Sequence, residues 1–284
     1  MSRISALVNP HSGSVPEDGA EVLRVALEES GHTADIVEIE IDNLVDQIKN
    51  AIADAPDILI VWSGDGTIAC AFENAGPDGP LILPLPGGTM NLFHKQIHGG
   101  ACDWQDCLNR ALTDGKVIDV PAGKAGERTF YVAAMAGNLT DLTGPREAIR
   151  KGHVFKALET LSGSDVLDLR TNMTFQIEKS DGKPVSGFAT AASIFVGTQQ
   201  DDTLEFAYID PDNPLELAAA GFGALFDDWR NASGVNCEDI RSGKLEHDRG
   251  LDLRITLDGE PVRLKSGTKI TRIAKAGRAL SANL

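Results

Sequence analysis

Positive charge is in short supply in this chain, which sets 26 Lys and Arg against 42 Asp and Glu for a formal net charge of −16. A general nucleic-acid binder needs a basic face to meet the phosphate backbone, so the shortage argues against that class. An anionic ligand or an acidic surface must instead be met by a local feature. Aromatic residues are scarce at 5% and form no interfacial belt. No stretch approaches the roughly 18 uninterrupted apolar residues of a membrane span. The opening "MSRISALVNPHSG" has neither the apolar core nor the cleavage pattern of a secretory signal, so a cytoplasmic location is expected. Four cysteines (Cys70, Cys102, Cys107 and Cys237) do not make a disulfide framework in 284 residues. Cys102 and Cys107 stand five apart in a predicted helix with no matching ligand pair for zinc, and all four are read as reduced thiols. Repeats and low-complexity tracts are missing. So are the two familiar phosphate-binding signatures, G-x-x-x-x-G-K-[ST] and G-x-G-x-x-G.

What is present is the composition of an ordinary globular protein, 42% hydrophobic and 24% charged, at a length that suits two modest domains. Residues 3–8 predict a short buried strand and 17–30 a helix, with Val22, Leu23, Ala26 and Leu27 at helical spacing. An alternating strand follows at 33–41 and a second helix at 43–53. "DILIVW" (57–62) is a continuous apolar run, as in a parallel strand buried on both faces. A helix from Thr67, a strand at 81–85 and a last helix at 101–114 complete the pattern. Strands alternating with helices imply a doubly wound parallel sheet that binds ligands at the carboxyl ends of its strands.

Beyond about Val120 the texture changes. Segments 128–137, 169–178, 187–197, 251–264 and 269–274 are strand-like, and only 146–161 and 214–228 look helical. Asp-Gly turns in "EKSDGKPV" and "LDGEPV" suit hairpins. The expected division is an α/β domain over 1–120 and a mostly antiparallel β domain over 121–284, whose last residues pack back on the first domain.

Chemistry concentrates in three loops, each at a predicted strand end. "NPHSG" offers Asn9, Ser12 and Gly13 ahead of a helix, where free N–H groups favour anions. "SGDGT" (Ser63, Gly64, Asp65, Gly66, Thr67) puts a carboxylate between two glycines that let backbone approach a ligand closely. Thr67 suits both a helix N-cap and a phosphate donor. "PGGTMN" repeats the chemistry with Gly87, Gly88, Thr89 and Asn91. Each loop alone is also an ordinary turn. Three at successive ends of one sheet point to phosphate binding.

The order NPxSG, SGDGT, PGGTxN, followed by a β domain with a late D-G-E, resembles the diacylglycerol kinase catalytic-domain family. That family includes bacterial lipid kinases and is similar in fold to sphingosine, ceramide and NAD kinases. The resemblance runs over essentially the whole chain. It implies an N-terminal doubly wound nucleotide-binding domain plus a C-terminal antiparallel β domain, with ATP and Mg2+ as cofactors. Asn9, Ser12, Gly13, Ser63, Gly64, Asp65, Gly66, Thr67, Gly87, Gly88, Thr89 and Asn91 would hold the nucleotide. Ser63 replaces the first Gly of the usual motif, as in sphingosine kinases. Asp65 would organise magnesium and phosphate. Glu260 in "LDGEP", beside Asp258, would be the general base. Gln199, Asp202 and Leu204 fall where lipid-kinase relatives hold a structural magnesium, with Thr203 in place of a Gly, so Asp202 is a second metal candidate. Ala69 and Cys70 replace the family's Asn-Glu pair, and Leu92 replaces the Asp after PGGTxN. Losses of supporting groups typically lower activity about 10–100-fold, which implies slow transfer.

The acceptor is sought in "GPREAIRKGHVFKALETL" (144–161). Arg146, Arg150, His153 and Lys156 share one side of a helix, and Val154, Phe155, Leu158 and Leu161 another. Such a helix suits anionic lipid headgroups, and equally a packed helix with a solvated face. The expected activity is ATP-dependent transfer of the γ-phosphate to a hydroxyl of a lipid or lipid-like alcohol. The alternatives are a kinase of a soluble alcohol or NAD, and a nucleotide-binding sensor without transfer. The expected partners are ATP, the lipid alcohol, the inner membrane face in peripheral contact and a second copy as a homodimer, with no nucleic acid.

Overall fold

The computed structural model describes residues 2–137, 173–197, 202–209 and 235–283. The helices expected at 146–161 and 214–228 lie outside the described residues, as does Gln199. The chain divides into two compact units, Met1–Ala122 with Ile273–Leu284, and Gly123–Gly197 with Asp201–Arg272.

The first unit is built on parallel strands β1 (Ile4–Val8), β2 (Ala34–Glu38), β3 (Ile58–Ser63) and β4 (Leu81–Pro86). They run in the order β2-β1-β3-β4, and the end of β15 (Lys269–Ser281) adds a parallel strand beside β4, with Ala279 opposite Ile82. Every residue of β1 and β3 is buried. Because successive side chains point to opposite faces, such strands need cover on both sides. Ile4, Ala6, Val8, Ile58, Ile60 and Trp62 pack with Leu23 and Leu27 of α1 (Gly19–Glu29) and Leu108 and Ala111 of α5 (Trp104–Asp114). The intervening Leu7, Leu59 and Val61 are fully buried too, as are Ile48 of α2 (Leu44–Ala53) and Ile68 and Phe72 of α3 (Asp65–Ala75). Asp103 caps α5, its side chain accepting from the Gln105 and Asp106 N–H groups.

Two observations depart from the sequence reading here. Helix α3 begins at Asp65 with Gly64 at its N-cap, so Thr67 lies inside the first turn and is not the cap. A further helix, α4 (Leu92–His98), follows the third loop. At seven residues it is too short for a periodic signal, and its burial of Phe93 and Ile97 comes from tertiary packing. Asn91 enters it in the left-handed region at φ 50°, and Gly99 ends it at φ 81°.

The second unit is antiparallel throughout its described strand pairs. It takes in the end of β5 (Lys116–Ala125), then β6 (Arg128–Phe130), β7 (Ala133–Gly137), β8 (Met173–Lys179), β9 (Pro184–Ala189) and β10 (Ala191–Val196). These are followed by β11 (Leu204–Ile209), β12 (Val235–His247), β13 (Leu253–Leu257) and β14 (Glu260–Leu264). The order is β14-β13-β7-β10-β11-β12-β15. Its core gathers Phe175, Ile194, Phe206, Ile240, Leu245 and Ile255, with the Phe175 and Phe206 rings 5.0 Å apart. Strand β12 escaped the sequence reading because "VNCEDIRSGKLEH" carries charges where an apolar alternation was sought. Its pairing with β8 shifts register between Ile240 and Ser242, after the stretch that pairs with β11, so no single period runs along it. Among the described residues no helix is long and apolar enough to cross a membrane.

Candidate functional site

The three loops leave the carboxyl ends of β1, β3 and β4, and hydrogen bonds lace them into one surface. Asn9 donates its backbone N–H to Trp62 O (3.0 Å) and its side-chain amide to Ser63 Oγ (3.2 Å), while its Oδ1 accepts from His11 N (3.0 Å). Gly87 N donates to Ser63 O at 3.0 Å, joining the second loop to the third. Ser12 Oγ and Ser14 N both donate to Gly87 O, at 2.7 and 2.9 Å, joining the first to the third. Asn91 closes the third loop on itself, with Oδ1 accepting from Gly88 N (2.8 Å) and Nδ2 donating to Gly88 O (2.9 Å).

This lacing requires glycine at two positions in particular. A Cβ on Gly88 would stand 3.0 Å from Gly64 Cα, and one on Gly87 would stand 2.7 Å from Val15 Cγ2 and 2.8 Å from Ser63 Cα. Gly13 faces Thr89, whose Oγ1 would be 3.2 Å from an added Cβ. Gly66 is different. It is exposed, and nothing lies within 4 Å of where its Cβ would be. It sits in the first turn of α3, where the N–H groups of Asp65, Gly66 and Thr67 have no intrahelical acceptor. Open space over such a turn suits an anion.

Asp65 holds the next helix. Its Oδ2 accepts from Leu92 N (2.9 Å) and its Oδ1 from Phe93 N (3.0 Å), so the carboxylate caps the first turn of α4 across 27 residues of sequence. Burial raises its pKa, against the lowering pull of the Leu92, Phe93 and His94 N–H groups and of Lys95. With about four lone-pair sites, the carboxylate as a whole keeps acceptor capacity beyond these bonds.

The diacylglycerol kinase catalytic domain matches residues 3–125, the stretch that carries all three loops. Residues 3–125 belong to the diacylglycerol kinase catalytic-domain family. A diacylglycerol kinase of Staphylococcus carnosus (strain TM300) is 28% identical over 143 residues, 49% of this chain and 45% of that protein. The match thus spans less than half of that relative's length. A crystal structure of a diacylglycerol kinase from Bacillus anthracis str. Sterne is similar over 97% of this chain and 96% of its own, with a TM-score of 0.67 at 15% identity. A second from the same strain, of a proposed diacylglycerol kinase, reaches 0.72 at 18% identity over the same shares. At those identities the likeness establishes the fold, an α/β architecture with parallel N-terminal strands followed by antiparallel ones.

Set against the family pattern, Asn9, Ser12, Gly13, Ser63, Gly64, Asp65, Gly87, Gly88, Thr89 and Asn91 come together in the first unit, with Gly66 and Thr67 in the adjoining helical turn. Several of them are spent on building the loops: Asn9, Ser12 and Asn91 all bond within the protein. The family's absent carboxylate at Leu92 leaves a side chain 40% exposed at the start of α4. Cys70 is half-buried, and its carbonyl accepts from Asn74 Nδ2 at 2.8 Å.

Glu260 and Asp202 belong to the second unit. Glu260 is exposed and opens β14, directly after a two-residue turn in which Asp258 and Gly259 have φ of 50° and 89°. Asp258 turns inward instead: its carboxylate accepts from the N–H groups of Tyr131, Val132 and Ala133 at 2.7, 2.8 and 3.0 Å. The sequence marked it only as a neighbour of Glu260, and no local signal announces a clamp across more than 120 residues. Asp202 is exposed shortly before β11, and no other His, Cys, Asp or Glu among the described residues joins it in a metal-sized cluster.

Proposed function

We propose that the chain is an ATP- and magnesium-dependent kinase that transfers the γ-phosphate to a hydroxyl of a lipid or lipid-like alcohol. The observation that carries this reading is the single surface made by the three glycine loops, closed by Gly64 against Gly88 and open above Gly66. Phosphate oxygens would be held by the N–H groups of Gly66 and Thr67 and by the Thr67 and Thr89 hydroxyls. Asp65 is a hard oxygen ligand with lone pairs to spare, which fits magnesium held directly or through water. The ion would neutralise phosphate charge during transfer. Glu260 is assigned to accept the proton of the attacking hydroxyl. Lipid as the acceptor class rests on the family and on the relatives' names.

The test is purified protein with labelled ATP, magnesium and a panel of lipid alcohols, soluble alcohols and NAD. The expected result is label on a lipid alcohol, with Glu260→Gln slowing turnover by about 10²–10⁴-fold while ATP affinity is unchanged. Label on soluble alcohols or NAD alone would move the acceptor class. ATP binding with no transfer would make the protein a nucleotide sensor, a reading favoured by Leu92 and Cys70 standing where the family has carboxylates.

A further inference from the structure

Helices α4 and α5 bring together side chains that the loops do not use. His94 Nε2 lies 3.5 Å from Cys107 Sγ and 3.8 Å from Cys102 Sγ. A tetrahedral metal with bonds of about 2.3 Å to sulfur and about 2.0–2.1 Å to nitrogen spaces its N and S ligands roughly 3.5–3.6 Å apart. Both observed spacings are close to that edge. His94 and Cys107 are 1% and 0% exposed, while Cys102, just ahead of α5, is half-buried and offers a way in.

The hydrogen bonding of the two histidines separates their roles. His98 is fully committed: its Nε2 donates to Pro84 O and its Nδ1 accepts from Ala282 N, each at 2.9 Å. It lies 4.6 Å from His94, ring to ring, and serves as packing. His94 is buried with Nδ1 unpartnered and Nε2 facing only the two thiols. Thiols are weak partners, so this imidazole has little to offset its removal from water.

We propose that Cys102, Cys107 and His94 form a binding site for a thiophilic divalent cation of the zinc class, completed by a water on the Cys102 side. Two thiolates and a neutral imidazole balance the dication, as a buried site requires. Binding displaces both thiol protons into solvent, so affinity rises with pH. Sulfur and imidazole ligands select against magnesium, so this site is distinct from the phosphate surface. Its effect on the fold is to tie α4, whose first turn Asp65 already holds, to α5.

The probe is Co2+, titrated into the full chain under a non-chelating phosphine reductant and followed by absorbance. The expected result is one Co2+ per chain with tetrahedral d–d bands and charge-transfer intensity for two thiolates, displaced by equimolar Zn2+. A Cys70→Ser/Cys237→Ser double variant should bind unchanged. Cys102→Ser, at the half-buried position where the fold tolerates substitution, should halve the charge-transfer band and weaken binding more than ~100-fold, beyond the usual loss for a supporting group. The wild-type titration needs no substitution, and stoichiometric Co2+ binding failing to occur there would overturn the site. So would a folded Cys102→Ser protein that binds Co2+ as tightly and with the same spectrum.

Discussion

Asp258 shows how one side chain can serve the fold beside a residue assigned to chemistry. Three N–H groups, on Tyr131, Val132 and Ala133, end on its carboxylate. Asp258→Ala strands all three and places Ala at φ 50°. It should cost about 2–4 kcal/mol in urea unfolding, whereas Glu260→Gln, at an exposed position, should leave stability within about 0.5 kcal/mol. Glycines divide in the same way. Gly87→Ala forces a methyl against Ser63 Cα and Val15, and should destabilise the first unit by roughly 1–3 kcal/mol. Gly66→Ala meets nothing and lies in a helix, so stability should hold or rise by up to ~1 kcal/mol. If the proposed phosphate surface is right, that same methyl should cut ATP affinity by roughly 5–100-fold in calorimetry. Unchanged ATP binding in folded Gly66→Ala would move the phosphates elsewhere.

At the scale of the element, α4 depends on a carboxylate from another helix. Asp65→Asn replaces one acceptor oxygen with an N–H2 that cannot accept from Leu92 or Phe93. The α4 amides should then exchange with deuterium faster by about 5–30-fold, the equivalent of roughly 1–2 kcal/mol for a lost cap, while those of α5, capped by its own Asp103, stay protected. Loss of magnesium-dependent ATP affinity alongside that faster exchange is the result expected of a residue that both caps α4 and meets the metal. Faster exchange with unchanged magnesium-dependent affinity would make it a cap alone. Leu92→Asp restores the family's carboxylate at an exposed first-turn position, where a negative charge also suits the helix dipole. It should raise transfer about 10-fold in kcat/KM with little effect on stability.

For the whole molecule, the first unit is discontinuous in sequence. Ala279, Leu280 and Ala282 are buried in it, Ala279 pairs with Ile82 of β4, and the Ala282 N–H satisfies His98 Nδ1. A fragment ending at residue 122 leaves β4 without that neighbour and a buried imidazole nitrogen without its donor. It should fail to show a cooperative urea transition. The same fragment with residues 273–284 joined through a flexible linker should recover one, by circular dichroism. Cooperative folding of the short fragment would show that the last strand is dispensable.

The parallel sheet was legible in the sequence because it is made of local signals. "DILIVW" is apolar at every position, since both faces of β3 are covered, and the loops after β1, β3 and β4 carry glycines and hydroxyls that no buried strand would keep. The antiparallel character of the second unit was legible too, through its Asp-Gly turns. What sequence order could not carry is which atoms meet at a distance. Asp65 reads as a ligand residue, yet its oxygens meet the N–H groups of Leu92 and Phe93, and α4 itself is too short to declare its period. Cys102 and Cys107 lacked a partner along the chain until α4 folded His94 against them. Local composition decided where the parallel strands, the longer helices and the glycine loops of the first unit lie, because each is a property of a few consecutive residues. Caps, clamps and the thiol–imidazole cluster were decided only by tertiary structure, because each joins a side chain to backbone or to another side chain that packing alone brings near.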